Sequence, residues 1–212
     1  MRLPSLSRHE SNVLVLASHN QGKLRELEKL SEPHGLIVRS ISDWTAVEPK
    51  ETGTTFSENA LIKARAAFQV SKLASLADDS GLEVEGLGGA PGVYSARWAD
   101  ADRNFAPAMK RVVNELSKRY GGFQAAPKDA YFVCVLALVT SPDREFLFEG
   151  RCNGHITDTP RGENGFGYDP IFIPDTATET FGEMPPARKT RFSHRNHAFN
   201  QFAEHIELCG LK

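Results

Sequence analysis

The feature that most restricts the fold is a long apolar segment that doubles back on itself. Residues 131–140 are almost wholly apolar, Ser141-Pro142-Asp143 supplies turn residues, and residues 145–151 return as a second extended segment. Strands joined by so short a link pair antiparallel, because a parallel pair needs a crossover of about a dozen residues or more. The sheet therefore has an antiparallel portion, and a purely doubly wound parallel fold is excluded. Around this hairpin, apolar runs alternate with helical patterns. Residues 12–17 and 36–41 read as strands, as does Ile171-Phe172-Ile173. Leu24, Leu27 and Leu30 mark one face of a helix; Phe56, Ala60, Ala64, Ala67 and Phe68 mark a second. A third runs over residues 102–120 with Met109, Val112, Val113 and Leu116 inward, and Gly121-Gly122 ends it. A last one buries Ala198, Phe199, Phe202, Ala203, Ile206 and Cys209. The expected class is α/β with a mixed sheet.

Residues 1–12 are polar and read as an extension, which leaves residues 13–212 as a single domain. At that length a chain buries a full core, as one large domain or as two lobes sharing a cleft. A formal net charge of -2 supplies no basic field of the kind that holds bulk nucleic acid. No apolar run approaches the roughly 20 residues that cross a bilayer, and no signal-peptide pattern opens the chain, so no membrane partner is expected. Cys134, Cys152 and Cys209 are far apart and in no metal spacing. The expectation is a reducing cytoplasm without structural disulfides, with Cys134 a small buried hydrophobe.

The residues suited to chemistry fall in short blocks. Leu76-Ala77 leads into Asp78-Asp79-Ser80-Gly81, after which Leu82-Glu83-Val84 is strand-like again. Asp, Ser and Gly are the usual turn residues, and a bend at Ser80-Gly81 that presents Asp79 is one reading. Electrostatics supplies the other: adjacent carboxylates at the end of a buried strand repel, and require a divalent metal or cationic partners. Ser18-His19-Asn20-Gln21-Gly22-Lys23 joins the first strand to the first helix in a shape suited to an anion. Free N–H groups at a helix start favour phosphate, and Lys23 adds a mobile charge. The block lacks the G-x-x-x-x-G-K-[ST] spacing, and an ordinary capped turn has the same appearance. Thr55 and Glu58 form a capping box for the second helix, with Glu48 and Glu51 in the polar loop before it.

Four glycines and a proline in residues 86–92 mark a sharp turn or a close approach to a ligand, and Arg97 follows between Tyr94 and Trp98. Near residues 161–170, Phe166 and Tyr168 are set among glycines with Asp169 beside them. Such aromatics either stack on a base or fill a core beneath a turn. His194 and His197 lie three apart without a third zinc ligand at useful spacing, so His194 and Arg195 read instead as donors to ligand oxygens.

Taken in order, six blocks resemble the motifs of the inosine triphosphate pyrophosphatase family, also called Ham1 or non-standard purine nucleoside triphosphate pyrophosphatases. They are Ser18-His19-Asn20-x-Gly22-Lys23, Glu51-Thr52-Gly53-x-Thr55-Phe56-x-Glu58-Asn59-Ala60, Ala77-Asp78-Asp79-Ser80-Gly81-Leu82, residues 87–97, Gly165-Phe166-Gly167-Tyr168-Asp169-Pro170 and Ser193-His194-Arg195. The likeness runs from about residue 13 to the final helix, and six blocks in order are specific where each alone is weak. It implies Mg²⁺-dependent hydrolysis of dITP, ITP, XTP or dXTP to the monophosphate and pyrophosphate, which cleanses the nucleotide pool. It also implies an elongated mixed sheet with flanking helices, two lobes around a central nucleotide-binding groove, and a homodimer.

By the same resemblance, Ser18, His19, Asn20, Gln21, Gly22 and Lys23 would bind the triphosphate. Asp79 would hold metal and activate water, with Ser80 contacting substrate beside it. Phe166, Gly167, Tyr168 and Asp169 would meet the nucleoside, and Lys189, His194 and Arg195 would reach base and phosphate. Many bacterial relatives carry two acids before Thr-Gly; this chain has Lys50-Glu51 there, which leaves Glu51 as the expected second metal ligand. A nucleotide pyrophosphatase of the Maf type would lack the blocks at 165–169 and 193–195. A binding protein without catalysis would not need Asp79, Lys23 and Lys189 together.

Overall fold

Short β-branched runs and one long hairpin build the sheet. A computed structural model of the chain describes residues 12–19 and 21–211. The expected extension therefore lies outside the described residues except for Asn12; so does Asn20, while Gln21 and Gly22 are described by their backbone alone. The strands are β1 (Val13–Leu16), β2 (Ile37–Ser40), β3 (Ser75–Val84), β4 (Asp129–Ser141), β5 (Arg144–Ile156) and β6 (Phe172–Pro174). They form a six-stranded sheet in the order β2-β1-β3-β4-β5-β6. β1 runs parallel to β2, with Val13 opposite Ile37, and parallel to β3, with Leu16 opposite Leu76. β5 runs antiparallel to β6, His155 facing Ile173. The fold is thus mixed α/β, as the hairpin requires, and that hairpin is longer than the apolar run that announced it.

Packing divides the chain into two compact units. The first comprises the described residues up to 79 with 135–149 and 198–211; the second comprises 80–134 and 150–197. In the first, α1 (Gln21–Ser31) buries Leu27, and α2 (Phe56–Ser71) buries Phe56, Ala60, Ala64 and Ala67. The capping box at Thr55 and Glu58 forms as expected, with the Thr55 hydroxyl accepting the Glu58 N–H at 3.2 Å. In the second unit, α3 (Ala106–Tyr120) packs Val112 and Leu116 with Phe132, Phe172 and Phe181. Phe132 meets Phe172 edge-on, with ring centroids 4.6 Å apart.

Several expectations are corrected. Residues 78–81 form no bend: β3 runs straight through them. α3 begins at Ala106 rather than 102, because Asp100 gathers the N–H groups of Asp102 and Asn104 into a turn and Asn104 receives that of Ala106. The expected final helix, α5 (His194–Cys209), is unbroken, and a separate short helix, α4 (Pro186–Phe192), precedes it across Ser193. Cys209, placed on the buried face, is exposed where α5 ends, whereas Cys134 is buried as expected. Among the described residues no helix is long and apolar enough to cross a membrane.

Candidate active site

Asp78 and Asp79 lie in the middle of β3, where successive residues project to opposite sides. Both are buried, 5% and 9% exposed, and each meets a different lysine. Lys23 from α1 donates to both Asp78 oxygens, at 2.9 and 2.8 Å. Lys63 from α2 donates to Asp79 Oδ1 at 2.8 Å and to Glu51 Oε1 at 2.7 Å. Asn59, fully buried one turn before Lys63, places its amide nitrogen 3.5 Å from Asp79 Oδ2. Its amide oxygen accepts the Gly53 N–H at 2.8 Å, which fixes the loop that carries Glu51. Gly53 must be glycine for this approach, since a Cβ there would sit 2.6 Å from Glu58 Cβ.

These contacts explain how turn-type residues stay in a strand: two ammonium groups offset the repulsion between the adjacent acids. Burial, together with the surplus of Asp79, Asp78 and Glu51 over Lys63 and Lys23, accounts for two shifts that conflict at first sight. Burial holds the Asp79 carboxyl above the usual carboxylate range; Lys63 opposes this, and Glu51 and Asp78 push it further up. Burial pulls the Lys63 ammonium down, but Asp79, Asp78 and the hydrogen bonds to Asp79 and Glu51 outweigh it, so Lys63 is raised. Burial thus raises the acid, and the surrounding acids raise the lysine.

In the second unit, a loop with Gly162, Gly165 and Gly167 at positive φ carries Phe166 outward, 61% exposed. Asp169, buried below it, accepts the Phe166 N–H at 2.7 Å and the Lys189 ammonium. Burial raises the Asp169 carboxyl, against Lys189 and the hydrogen bonds it receives. Lys189 Nζ and Arg195 Cζ lie 5.0 and 5.9 Å from the Phe166 ring centre, so an exposed aromatic face is bordered by two cations. Tyr168 goes the other way, 2% exposed, donating to the Ser95 carbonyl at 2.9 Å. His194 stacks on Phe132 with centroids 5.0 Å apart, and His194 and Arg195 are buried at the start of α5. His197 meets the Arg151 carbonyl through Nδ1 at 2.8 Å, and no three His, Cys, Asp or Glu side chains converge among the described residues.

The sequence-chosen residues are therefore gathered in two groups: Lys23, Glu51 and Asp79 in the first unit, Phe166, Asp169, Lys189 and Arg195 in the second. His19 reaches toward Thr45 and Glu48, and the Ser18 carbonyl accepts the Ser40 hydroxyl at 3.4 Å. Ser80 is half-buried on β3, and Gly167 is a turn residue of the Phe166 loop. Sequence reasoning missed Lys63 and Asn59 as site residues. Their spacing of four puts them on one helix face, and a lysine within the stripe Ala60, Ala64, Ala67 was the available signal.

The Ham1 family model matches residues 14–205. A dITP/XTP pyrophosphatase of Bartonella quintana is 45% identical over 207 residues, covering 92% of this chain and 96% of that protein. One of Rhizobium meliloti is 46% identical over 202 residues, covering 90% and 94%. The structure of a HAM1 protein from Coxiella burnetii superposes with a TM-score of 0.86 at 36% identity, covering 93% of this chain and 99% of that one. The chain belongs to the Ham1 family.

Proposed function

We propose that this protein hydrolyses non-standard purine nucleoside triphosphates, dITP/ITP and XTP/dXTP, to the monophosphate and pyrophosphate, as a Mg²⁺-dependent cytoplasmic homodimer that cleanses the nucleotide pool. The observation that carries this reading is the pair of buried acids Asp78 and Asp79, held by the half-buried Lys23 and Lys63 with Glu51 on Lys63, which sets acids beside cations as phosphoryl chemistry requires. Relatives at about 45% identity bear the name dITP/XTP pyrophosphatase, which supports the substrate class. The donor set suits Mg²⁺: Asp79 and Glu51 offer hard oxygens 2.8 and 2.7 Å from one shared ammonium, and Mg²⁺ needs only one or two carboxylates beside waters and substrate phosphates. Bound there, the metal would neutralise phosphate charge and favour deprotonation of water.

The chain's residues account for the rest. Asp79, its carboxyl held high by burial, takes a proton from water as the water oxygen bonds to the α-phosphorus. The bond from that phosphorus to the bridging oxygen breaks, and its electron pair leaves with pyrophosphate. Lys23, Lys63 and the turn entering α1 balance the negative charge that moves onto the leaving group. The exposed Phe166 ring stacks on the base. His194 and Arg195 donate to the carbonyl at C6 of hypoxanthine or xanthine, where adenine carries an amino group. A mispaired buried group costs roughly 1–3 kcal/mol, so ATP is disfavoured; guanine shares the C6 carbonyl and must be rejected at its 2-amino group. Turnover of dITP in ¹⁸O-labelled water tests the point of attack. Label is expected in the monophosphate, and label in the pyrophosphate would overturn the mechanism.

A further inference from the structure

His19 stands in the turn between β1 and α1, and both of its ring nitrogens face oxygens. Nε2 lies 3.1 Å from the backbone carbonyl oxygen of Thr45, and Nδ1 lies 3.0 Å from Oε1 of Glu48. A carbonyl oxygen and an ionised carboxylate only accept hydrogen bonds, whereas a neutral imidazole brings one N–H and one lone pair. The imidazolium, with an N–H on each nitrogen, serves both partners at once. On a neutral ring a lone pair would face one of the oxygens, and that contact would be lost.

Both partners belong to one stretch of chain, residues 45–48. It follows β2, whose Ser40 hydroxyl also donates to the Ser18 carbonyl at 3.4 Å. Downstream it leads to Glu51, held by Lys63, while the turn bearing His19 leads to Lys23, held by Asp78. The ring therefore joins the two segments that feed the phosphate-handling cluster. The charge set against it is Glu48. On the adjoining segments, Arg39 pairs with Asp43 at 2.9 Å and covers Trp44, and Lys23 pairs with Asp78. Direct triphosphate binding by His19, expected from sequence, would have to displace these two contacts.

We propose that His19, as the imidazolium, is a proton-dependent clasp that holds the turn entering α1 to residues 45–48, so that triphosphate affinity weakens when the ring loses its proton. This rests on the triphosphate chemistry proposed for the same cluster. His19 acts through the turn that carries Lys23 and is a positioning residue. Glu48 is 66% exposed, and exposed pairs contribute modestly, so the expected change in KM is roughly three- to fivefold.

The test compares kcat and KM for dITP across the pH range in which histidines titrate, in the wild type, His19→Gln and Glu48→Gln. Ionisation of the substrate and of Asp79 affects all three alike, so the differences between profiles carry the result. The wild-type KM should rise roughly three- to fivefold more than either variant's as pH increases, with no matching difference in kcat. Glu48→Gln should keep KM low throughout, because its amide can donate to the ring nitrogen that has lost its proton while the other N–H still reaches Thr45. His19→Gln should start high without the extra rise. In parallel, nitrogen NMR of the wild-type ring should show slowly exchanging protons on both nitrogens at the acidic end. Parallel KM profiles in the three proteins, with dITP hydrolysed normally, overturn the clasp and leave the proposed function standing. Absence of dITP hydrolysis in the wild type overturns the proposed function instead; the NMR signal then decides the clasp, and a fast-exchanging proton on either nitrogen overturns it.

Discussion

Lys63 and Asp79 touch each other, yet removing them should have unequal effects. Lys63 offsets an excess of carboxylates, so Lys63→Met leaves the buried Asp79 beside Glu51 with no ammonium between them, while Asp78 keeps Lys23. Breaking a buried pair from the cationic side in this way should cost about 3 kcal/mol or more in urea unfolding. Asp79→Asn relieves the excess and should cost much less, and the double variant should regain most of what Lys63→Met loses. The pH dependence follows from the same balance. Because the Asp79 carboxyl is raised in the folded state, the folded protein binds its proton more readily than the unfolded chain. Its contribution to stability therefore declines as pH rises from the ordinary carboxylate range through the folded value. Asp79→Asn should gain stability relative to the wild type as pH rises above the ordinary carboxylate range, about pH 4, measured by unfolding at each pH. Lys63 is also raised, so its contribution is full below the usual ammonium range and lost as pH rises through the folded value above it. Selectivity is a residue-scale property too: Arg195→Ala should narrow the ratio of ITP to ATP turnover roughly tenfold, and an equal fall in both rates would remove Arg195 from base reading.

The loop that carries Phe166 depends on backbone shapes that only glycine adopts freely. Gly165 has φ +77°, and a Cβ there would collide with the Asp169 carboxylate that holds the Phe166 N–H. Gly165→Ala should lower stability by about 1–3 kcal/mol; if Phe166 stacks on the base as proposed, it should also raise KM for dITP with a smaller effect on kcat. The hairpin of β4 and β5, the capped α2 and the apolar face of α5 were legible in the sequence because period, turn residues and caps all agreed there. The strand at Asp78 to Gly81 was not. Turn-forming residues win locally, and they were overridden by Lys23 and Lys63, which lie 55 and 16 residues away in sequence. Tyr168 shows the same limit: Phe166 and Tyr168 look alike in a glycine-rich block, and the turn at Gly167 sends one ring to solvent and the other onto Ser95. The acids of the candidate cluster were named from sequence, but the lysine that joins Glu51 to Asp79 was hidden in an alanine stripe.

The whole molecule is a mixed six-stranded sheet whose chain divides into two compact units, one holding the acid–lysine cluster and the other the Phe166 loop with Asp169, Lys189, His194 and Arg195. On the proposed function, the acid–lysine cluster handles phosphate and the Phe166 loop the base, as separable functions. Chelation of Mg²⁺ should therefore abolish turnover while dITP still quenches or perturbs the aromatic signals of the Phe166 loop. The central claim is that Asp79 drives selective hydrolysis of deaminated purine triphosphates. It is tested most directly by pyrophosphate release from dITP, XTP, dGTP and ATP with Mg²⁺, in the wild type and Asp79→Asn. The account predicts turnover of dITP and XTP at least about tenfold faster than of dGTP and ATP, and its loss in Asp79→Asn. Equal rates across the four substrates, or near-normal dITP turnover by Asp79→Asn, would contradict it.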